Sequence, residues 1–521
     1  MPVFNKDSRT RNALKTSAAG VATNIIKILF GFGYRTIFVY MFSEVYLGLN
    51  GLFTNVLQIL SLADLGIATA IVYRFYEPIS RDDVHYVGML MNFFGRVYRV
   101  IAISILAIGL MFLPFLPHLV NSSDQIPADI NIYVIYVLFL INTVSSYVFS
   151  YKMTILSADQ KTYVTSIIDL IQVVIRYAVQ IVALYLTKDY TLTLIIGIGS
   201  TLLLNFLCSL WTEHQYKEVF AVKEMLPSEE QKLIFSDTKA CMYHKIGGTV
   251  LSSTDNIILT KMVSLAMTGI YSNYSMLLNY TQQLISQMLG NFTASVGNAI
   301  QTMSGEDYYK LFKKISFAGL WVASIVSIGI YAVIDDFIFV WLGEKYLLDP
   351  VTTAIIVIQL YVTLSRITTS AFTNAAGLFV KDRIRPIIEA TINLVVSIIL
   401  TYYIGIAGVF LGTIISMALT VCWREPYLLY RFSFKRSVSD YWKTYFEFAL
   451  ITLATGIAVY ITKQHLTVNN LLGVIAEGIA SEIVINVILI IIMRRREDYG
   501  NLKEMASRII HHFFARSKFH E

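Results

Sequence analysis

Charged residues are scarce in this sequence. Asp, Glu, Lys and Arg make up 15% of the 521 residues, against about 25% in an ordinary soluble domain. That is too few to cover a globule of this size, so a single water-soluble core is excluded, and the apolar content excludes a disordered chain. Cysteine is almost lacking. Cys208, Cys241 and Cys422 all sit in apolar runs, so no disulfide framework is implied. Proline is rare too, with nine in the chain, and it punctuates rather than interrupts. Pro78, Pro127 and Pro227 are expected in loops, Pro114 and Pro117 at a helix end, and Pro350 and Pro386 at helix starts. What fills the chain instead is apolar, at 56% hydrophobic residues, with Phe and Tyr together outnumbering Asp and Glu. A polytopic membrane protein remains. The net charge of +6 does not indicate nucleic acid, given where the charges fall. The opening MPVFNKDSRTRNALK is polar and basic, and no small-residue cleavage site follows it, so no removable signal peptide is expected.

About fourteen apolar segments are long enough for a hydrocarbon core of about 30 Å. They lie near 17–41, 46–72, 92–117, 129–151, 164–186, 191–213, 240–263, 267–300, 315–341, 351–379, 387–404, 407–429, 445–462 and 472–493. With the N-terminus inside, roughly 33 of the 41 basic residues fall in cytoplasmic segments, the asymmetry that sets orientation. About three (Lys188, Lys345 and Lys463) fall in outside loops. One missed span would invert every later loop, so both termini are expected in the cytoplasm.

The longest polar interruption, residues 213–232, divides the first twelve spans into six and six. Because six is even, the halves are related by an axis along the membrane normal. A faint repeat agrees: TIFVYMFSEVYLGLNGLF from Thr36 aligns with IILTKMVSLAMTGIYSNY from Ile257. Met41 then matches Met262, Ser43 matches Ser264, and Gly48 matches Gly269. The expected organisation is an N-terminal lobe over 1–215 and a cytoplasmic linker over 216–239. A C-terminal lobe over 240–430, two further spans over 431–493 and a basic amphipathic tail over 494–521 follow. The fold class is all-α integral membrane, two six-helix lobes around a central cavity with two extra C-terminal helices.

Ionisable side chains inside spans cost about 2.5–3.5 kcal/mol each on insertion scales and tend to mark function or buried pairs. The first span carries Lys27 and Arg35, the second Asp64, and the fifth Asp169 and Arg176. The seventh carries His244, Lys245, and Asp255 beside Asn256; the tenth carries Arg366. Asp169 and Arg176 share one helical face two turns apart, and read equally as a structural pair. His244 and Asp255 are nearly eclipsed along their helix, although His244 also reads as a satisfied interior histidine. Lys245 and Lys261 are placed to snorkel to headgroups. Arg35 has no acid in its own helix. A solvated cavity that accepts an anion and also titrates or binds a cation accounts for both signs. No GxxxxGK[ST], HExxH, CxxC or GxSxG pattern occurs, so no bond-making chemistry is visible and no enzyme is expected.

The stretches YLGLNGLFTNVLQILSLADLGIATAIVYRFYEPI (46–79), HKIGGTVLSSTDNIILTKMV (244–263) and GIYSNYSMLL (269–278) resemble the bacterial oligosaccharide-lipid flippases. These are polysaccharide export proteins of the multidrug/oligosaccharidyl-lipid/polysaccharide exporter superfamily. The resemblance extends over most of the chain, including REPYLLYRFSFKRSVSDYW (424–442). It implies two six-helix lobes around a cationic cavity, in a protein of the bacterial cytoplasmic membrane. The cargo it implies is an undecaprenyl-pyrophosphate-linked sugar repeat unit, carried from the cytoplasmic to the outer leaflet. Arg35 matches the family's first-helix arginine, and Asp64 stands where SLAELG would carry glutamate. Arg35, Lys27, Arg176 and Arg366 are the expected substrate-binding cations. Asp64, Asp169 and Asp255 are candidates for coupling to Na⁺ or H⁺, and His244 and Asn256 are further cavity candidates. No metal or other cofactor is expected. The partners implied are the bilayer, a polysaccharide polymerase and glycosyltransferases. A peptidoglycan-precursor flippase or multidrug/cation antiporter shares the fold, but the arginines count against a drug-binding cavity. A membrane polymerase or lipid-linked glycosyltransferase needs a larger outside loop than residues 118–129.

Overall fold

The computed structural model describes residues 9–64, 67–120, 126–463, 468, 470–500 and 503. Apolar runs become helices because a helix satisfies its own backbone polar groups, which lipid cannot do. The chain first runs α1 (Arg9–Met41), α2 (Glu44–Leu60), α3 (Ile67–Ser80), α4 (Val84–Met111), α5 (Ile132–Ser150), α6 (Thr162–Thr187) and α7 (Tyr190–Gln215). It continues through α8 (Ser228–Ile258), α9 (Leu265–Thr302), α10 (Gly305–Leu342), α11 (Pro350–Ser365) and α12 (Ile367–Ala375). The last five are α13 (Arg385–Ile404), α14 (Ile406–Leu419), α15 (Val421–Leu428), α16 (Ser439–Lys463) and α17 (Leu471–Met493). No strand occurs among the described residues.

Asn and Asp caps set several starts by accepting from orphan amides of the first turn. Asn131 serves Tyr133 and Val134, Asp189 serves Leu192, Asn470 serves Gly473, and Asp349 serves Thr352 ahead of Pro350. One loop expectation is corrected. Pro78 lies inside α3, two residues from its end, where little of the helix remains to be disturbed.

Ten helical stretches among the described residues are long and apolar enough to cross a membrane, so the chain is a multi-pass membrane protein. Helices stand at all fourteen expected positions, but those formed by α1, α2 with α3, α8, and α9 are not among the ten. The break at Ser61–Asp64 leaves α2 with 17 residues and α3 with 14. Polar residues dilute α8 (KACMYHKIGG and LSSTDN) and α9 (SNYSMLLNYTQQ). These are the first two spans and their repeat partners.

The chain groups into two compact units, Met1–Ser272 with Arg383–Gly405 and Asn273–Asp382 with Ile406–Glu521. In the first, α1 packs on α6, α6 on α7, α4 on α5, and α8 on both α2 and α13. Its core includes Phe38, Leu52, Phe53, Phe94 and Tyr136, all nearly fully buried. The 213–232 segment is tied to α4. Asn92 donates to the Val222 and Glu224 carbonyls, and the Tyr86 hydroxyl bonds Glu230. In the second unit α10 packs against α11, α16 and α17. An aromatic cluster holds one end through Phe312, Phe372, Tyr430, Phe434 and Tyr441.

The repeat is visible in the backbone of the first unit. Ser43 and Ser264 both adopt extended conformations between consecutive helices, and α2 and α9 begin one residue after each. The two helix starts then meet reciprocally. A Cβ on Gly48 would lie 2.1 Å from the Leu265 carbonyl oxygen, and one on Gly269 would lie 1.9 Å from the Glu44 carbonyl oxygen. Glu44 and Leu265 are themselves a repeat pair, so the contact is self-complementary. Only glycine permits that approach.

Candidate functional site

A polar cavity of about 310 Å³ lies within the first unit, lined by Tyr34, Asn50, Asn142, Arg176, Gln180 and Thr193 among others. Five helices, α1, α2, α5, α6 and α7, each contribute. The Tyr190 hydroxyl donates to Asn50 Oδ1 at 2.6 Å, fixing α7 to α2. Tyr34 of α1 stacks on Tyr177 of α6, with ring centroids 4.9 Å apart and planes at 19°. The Arg176 guanidinium lies 4.9 Å from the Tyr177 centroid, a cation–π approach. Its Nε is shut off from solvent and has no hydrogen-bond partner among the described residues. Apart from that guanidinium the polar lining is amide and hydroxyl. Such a lining suits an oxyanion together with neutral hydroxyl groups.

The remaining expected cations fall into three settings. Arg35 donates to the Ser272 hydroxyl and, like Arg176, lies within electrostatic reach of Tyr34. Arg35 and Arg176 thus flank one tyrosine. Lys27 pairs with Asp169 at 3.8 Å, so Asp169 is held by α1 rather than by Arg176 on its own helix. Arg366 belongs to the second unit. It ends α11 and meets Glu425 at 3.2 Å, while Ser370 donates to the other oxygen of that carboxylate at 2.6 Å.

Asp255 is half-buried on α8, and Asn256 keeps a buried Oδ1 without a hydrogen-bond partner among the described residues. Thr254 of the same stretch donates to Asn393 of α13 at 3.2 Å. Lys261 reaches the Val120 carbonyl at 3.3 Å. The side chains of Asp64 and His244 lie outside the described residues, as does nearly all of the 494–521 tail beyond Gly500.

Several intramembrane acids escaped the sequence reading. Asp335 and Asp336 stand on α10, Glu477 and Glu482 on α17, Glu389 on α13, and Glu425 on α15. Their signal was available, since each is a carboxyl within an apolar run. Lys463 is the last residue of α16, and its ammonium turns back to Asp336 at 2.7 Å. The second unit also holds a larger cavity of about 650 Å³ between α10, α11 and α16. Its walls are mostly apolar, with Ser327, Tyr331, Thr452 and Tyr460 among them.

No family model matches the sequence. No curated protein matches it. Solved structures do. The lipid II flippase MurJ in an inward closed conformation is 14% identical, covering 92% of this chain and 99% of its own, with a TM-score of 0.63. An inward-facing multidrug resistance MATE family transporter of the MOP superfamily is 16% identical, covering 77% of this chain and 95% of its own, with a TM-score of 0.57. The fold is that of the MOP superfamily transporters. A third example, from Pyrococcus furiosus, is 16% identical and covers 81% of this chain and 97% of its own at a TM-score of 0.50. It is described as having a binding pocket of reversed polarity that suggests a different function. The MOP fold therefore does not dictate the charge of the pocket it encloses.

Proposed function

We propose that this chain is a flippase that moves a polyprenyl-pyrophosphate-linked oligosaccharide from the cytoplasmic to the outer leaflet of a bacterial cytoplasmic membrane. The observation that carries the reading is the cavity around Arg176. Its only charged lining residue is an arginine with an unspent buried donor, beside amides and hydroxyls. A planar guanidinium grips two phosphate oxygens and keeps its charge in low dielectric, while Asn, Gln and Tyr suit sugar hydroxyls. Arg35 extends the cationic character along α1.

The energetics favour assistance. Each unpaired hydroxyl taken into lipid costs about 1–3 kcal/mol or more, so an unaided oligosaccharide does not cross. A polar cavity removes that cost for the headgroup. The apolar cavity of the second unit offers a surface of the right chemistry for an isoprenoid chain. The match to a lipid-substrate flippase over 92% of this chain, against 77–87% for the MATE transporters, supports a lipid-linked cargo. In this reading both termini face the cytoplasm, the six-helix halves alternate access, and Na⁺ or H⁺ accompanies the cycle at Asp64, Asp169 or Asp255.

The test uses purified protein in sealed vesicles with a fluorescent sugar-pyrophosphate polyprenyl lipid. Exchange between leaflets is read by quenching from outside, and the recovered lipid is weighed by mass spectrometry. Intact lipid reaching the opposite leaflet without ATP is the expected result. Absence of exchange, or a lengthened or cleaved glycan, overturns the proposal.

A further inference from the structure

The two spans that follow the twelfth carry ionisable groups with no part in the cavity of the first unit. Asp335 and Asp336 are neighbours on α10 and point to different surroundings. Asp335 is satisfied: Tyr274 donates to its Oδ1 at 2.8 Å and Thr353 at 3.0 Å. Asp336 turns to α16 and α17. Lys463 Nζ lies 2.7 Å from Asp336 Oδ2 and donates to the Ala332 carbonyl at 2.7 Å. On the other side stands Glu477 of α17, a helix packed along α10, and its carboxyl interacts with that of Asp336. Glu477 Oε2 is sealed from solvent and accepts a hydrogen bond from no donor among the described residues.

Two carboxylates cannot hydrogen-bond each other, because an ionised carboxyl only accepts. With both ionised, the trio carries a net negative charge that Lys463 cannot cancel, in a medium where isolated charge is costly. One proton removes both problems. It supplies the donor missing at Glu477 Oε2 and brings Asp336, Glu477 and Lys463 to net zero. We propose that Asp336 and Glu477 form a proton-binding site in the second unit, held by Lys463, and that this site exchanges a proton during the transport cycle in addition to the coupling ion of the first unit. The second half of this statement rests on the flippase reading; the first half does not. Among the other titratable groups nearby, Asp335 interacts with Asp336 and Lys463. Tyr274 of α9 and Tyr331 of α10 interact with Asp335 rather than with the pair, and Tyr460 of α16 lies beside Tyr331. Glu482 on α17 is a further, half-buried acid. Glu482 sits further along α17, where its carboxyl lies over Gly329 of α10, so it needs its own control.

The experiment uses the full-length protein in lipid nanodiscs and needs no substrate. Infrared difference spectra are recorded as pH is stepped between about 5 and about 9, the range across which a carboxyl of such a pair exchanges its proton. The wild type is expected to show a protonated-carboxyl band that bleaches as pH rises. Glu477→Gln should lose it, Glu477→Asp should retain it at a shifted position, and Glu482→Gln should leave it in place. Asp336→Asn supplies a second reading should Glu477→Gln fail to fold. A band untouched by Glu477→Gln, or by Asp336→Asn where that variant is the one measured, removes the site. So does a band that follows Na⁺ concentration at fixed pH. In sealed vesicles, lipid exchange by the wild type should accelerate under an imposed pH gradient, and Glu477→Gln should diminish that response. If Glu477→Gln loses the band yet keeps the full gradient response, the coupling role fails. If the band behaves as expected but no variant or wild type exchanges lipid, the flippase reading fails and the proton site stands.

Discussion

Arg35 and Arg176 differ from Arg366 in what surrounds them, and that difference separates their substitutions. Arg35→Ala should reduce lipid exchange by about ten- to a hundredfold, as expected for losing charge-assisted bonds worth about 1.5–3 kcal/mol, while the protein still reaches the membrane. Arg35→Lys should retain part of the activity, because the charge survives but the planar fork does not. Arg176→Ala, which removes the only charged lining residue of the cavity, should have at least as large an effect, and normal exchange in both alanine variants would remove the cationic cavity from the mechanism. Arg366→Ala should act on stability instead. It removes the cation from the buried Glu425 carboxylate, which keeps the Ser370 hydroxyl, at a cost of up to about 3–5 kcal/mol. A lowered melting temperature that Glu425→Gln restores in the same chain is the expected pattern; restoration failing would mean that the pair does not hold this region together. These assignments show where sequence reading stops. The presence of Lys27, Asp169, Arg176 and Arg366 inside spans was legible from apolar context alone. Their partners were not, because spacing along one helix says nothing about a neighbour on another. Asp169 is therefore held from α1, and Arg366 from α15.

At the scale of elements, capping chemistry and apolar periodicity made the helices legible. Their polarity classes were less so. A window average treats α8 and α9 as spans, yet their amides and hydroxyls leave them short of the apolar standard that ten other helical stretches among the described residues meet. The repeat seam gives this scale its prediction. Gly48→Leu and Gly269→Leu each place a side chain where a backbone carbonyl already stands. Each should destabilise the protein by about 1–3 kcal/mol, the usual cost of overpacking. Melting temperatures in detergent read this directly, and because the contact is reciprocal the two losses should be similar. Gly248→Ala, on the neighbouring α8, meets nothing within 4 Å and should be nearly neutral. Equal effects at all three positions would mean that the close approach is not what holds α2 to α9.

For the molecule as a whole, orientation is the property from which the direction of transport follows. Single cysteines in a background lacking Cys208, Cys241 and Cys422 should report it. A cysteine at 345 should react with an impermeant thiol reagent added outside intact cells, whereas sites in 225–230 and 495–500 should react only after the membrane is opened. Residues 121–124 are also expected outside and lie beyond the described part of the chain. Labelling of the 225–230 segment from outside would invert the topology and with it the direction of transport. That segment is tied to α4 by the Tyr86–Glu230 bond, and Asn92 holds the backbone just before it at Val222 and Glu224, so a denatured control must show that its thiols can be reached.

The glycine seam between α2 and α9 also bears on speed. A contact between flexible side chains must freeze them each time it closes, at about 0.5–1.5 kcal/mol for every rotamer-rich group immobilised. Glycine has no rotamers to freeze, and no hydrogen bond is needed to hold backbone against backbone. At the two glycines, parting the helices therefore disturbs no glycine side-chain packing, and rejoining there waits on no glycine rotamer. A joint of this kind can cycle often at low cost, and its rate should depend little on the rotamer disorder that rises with temperature.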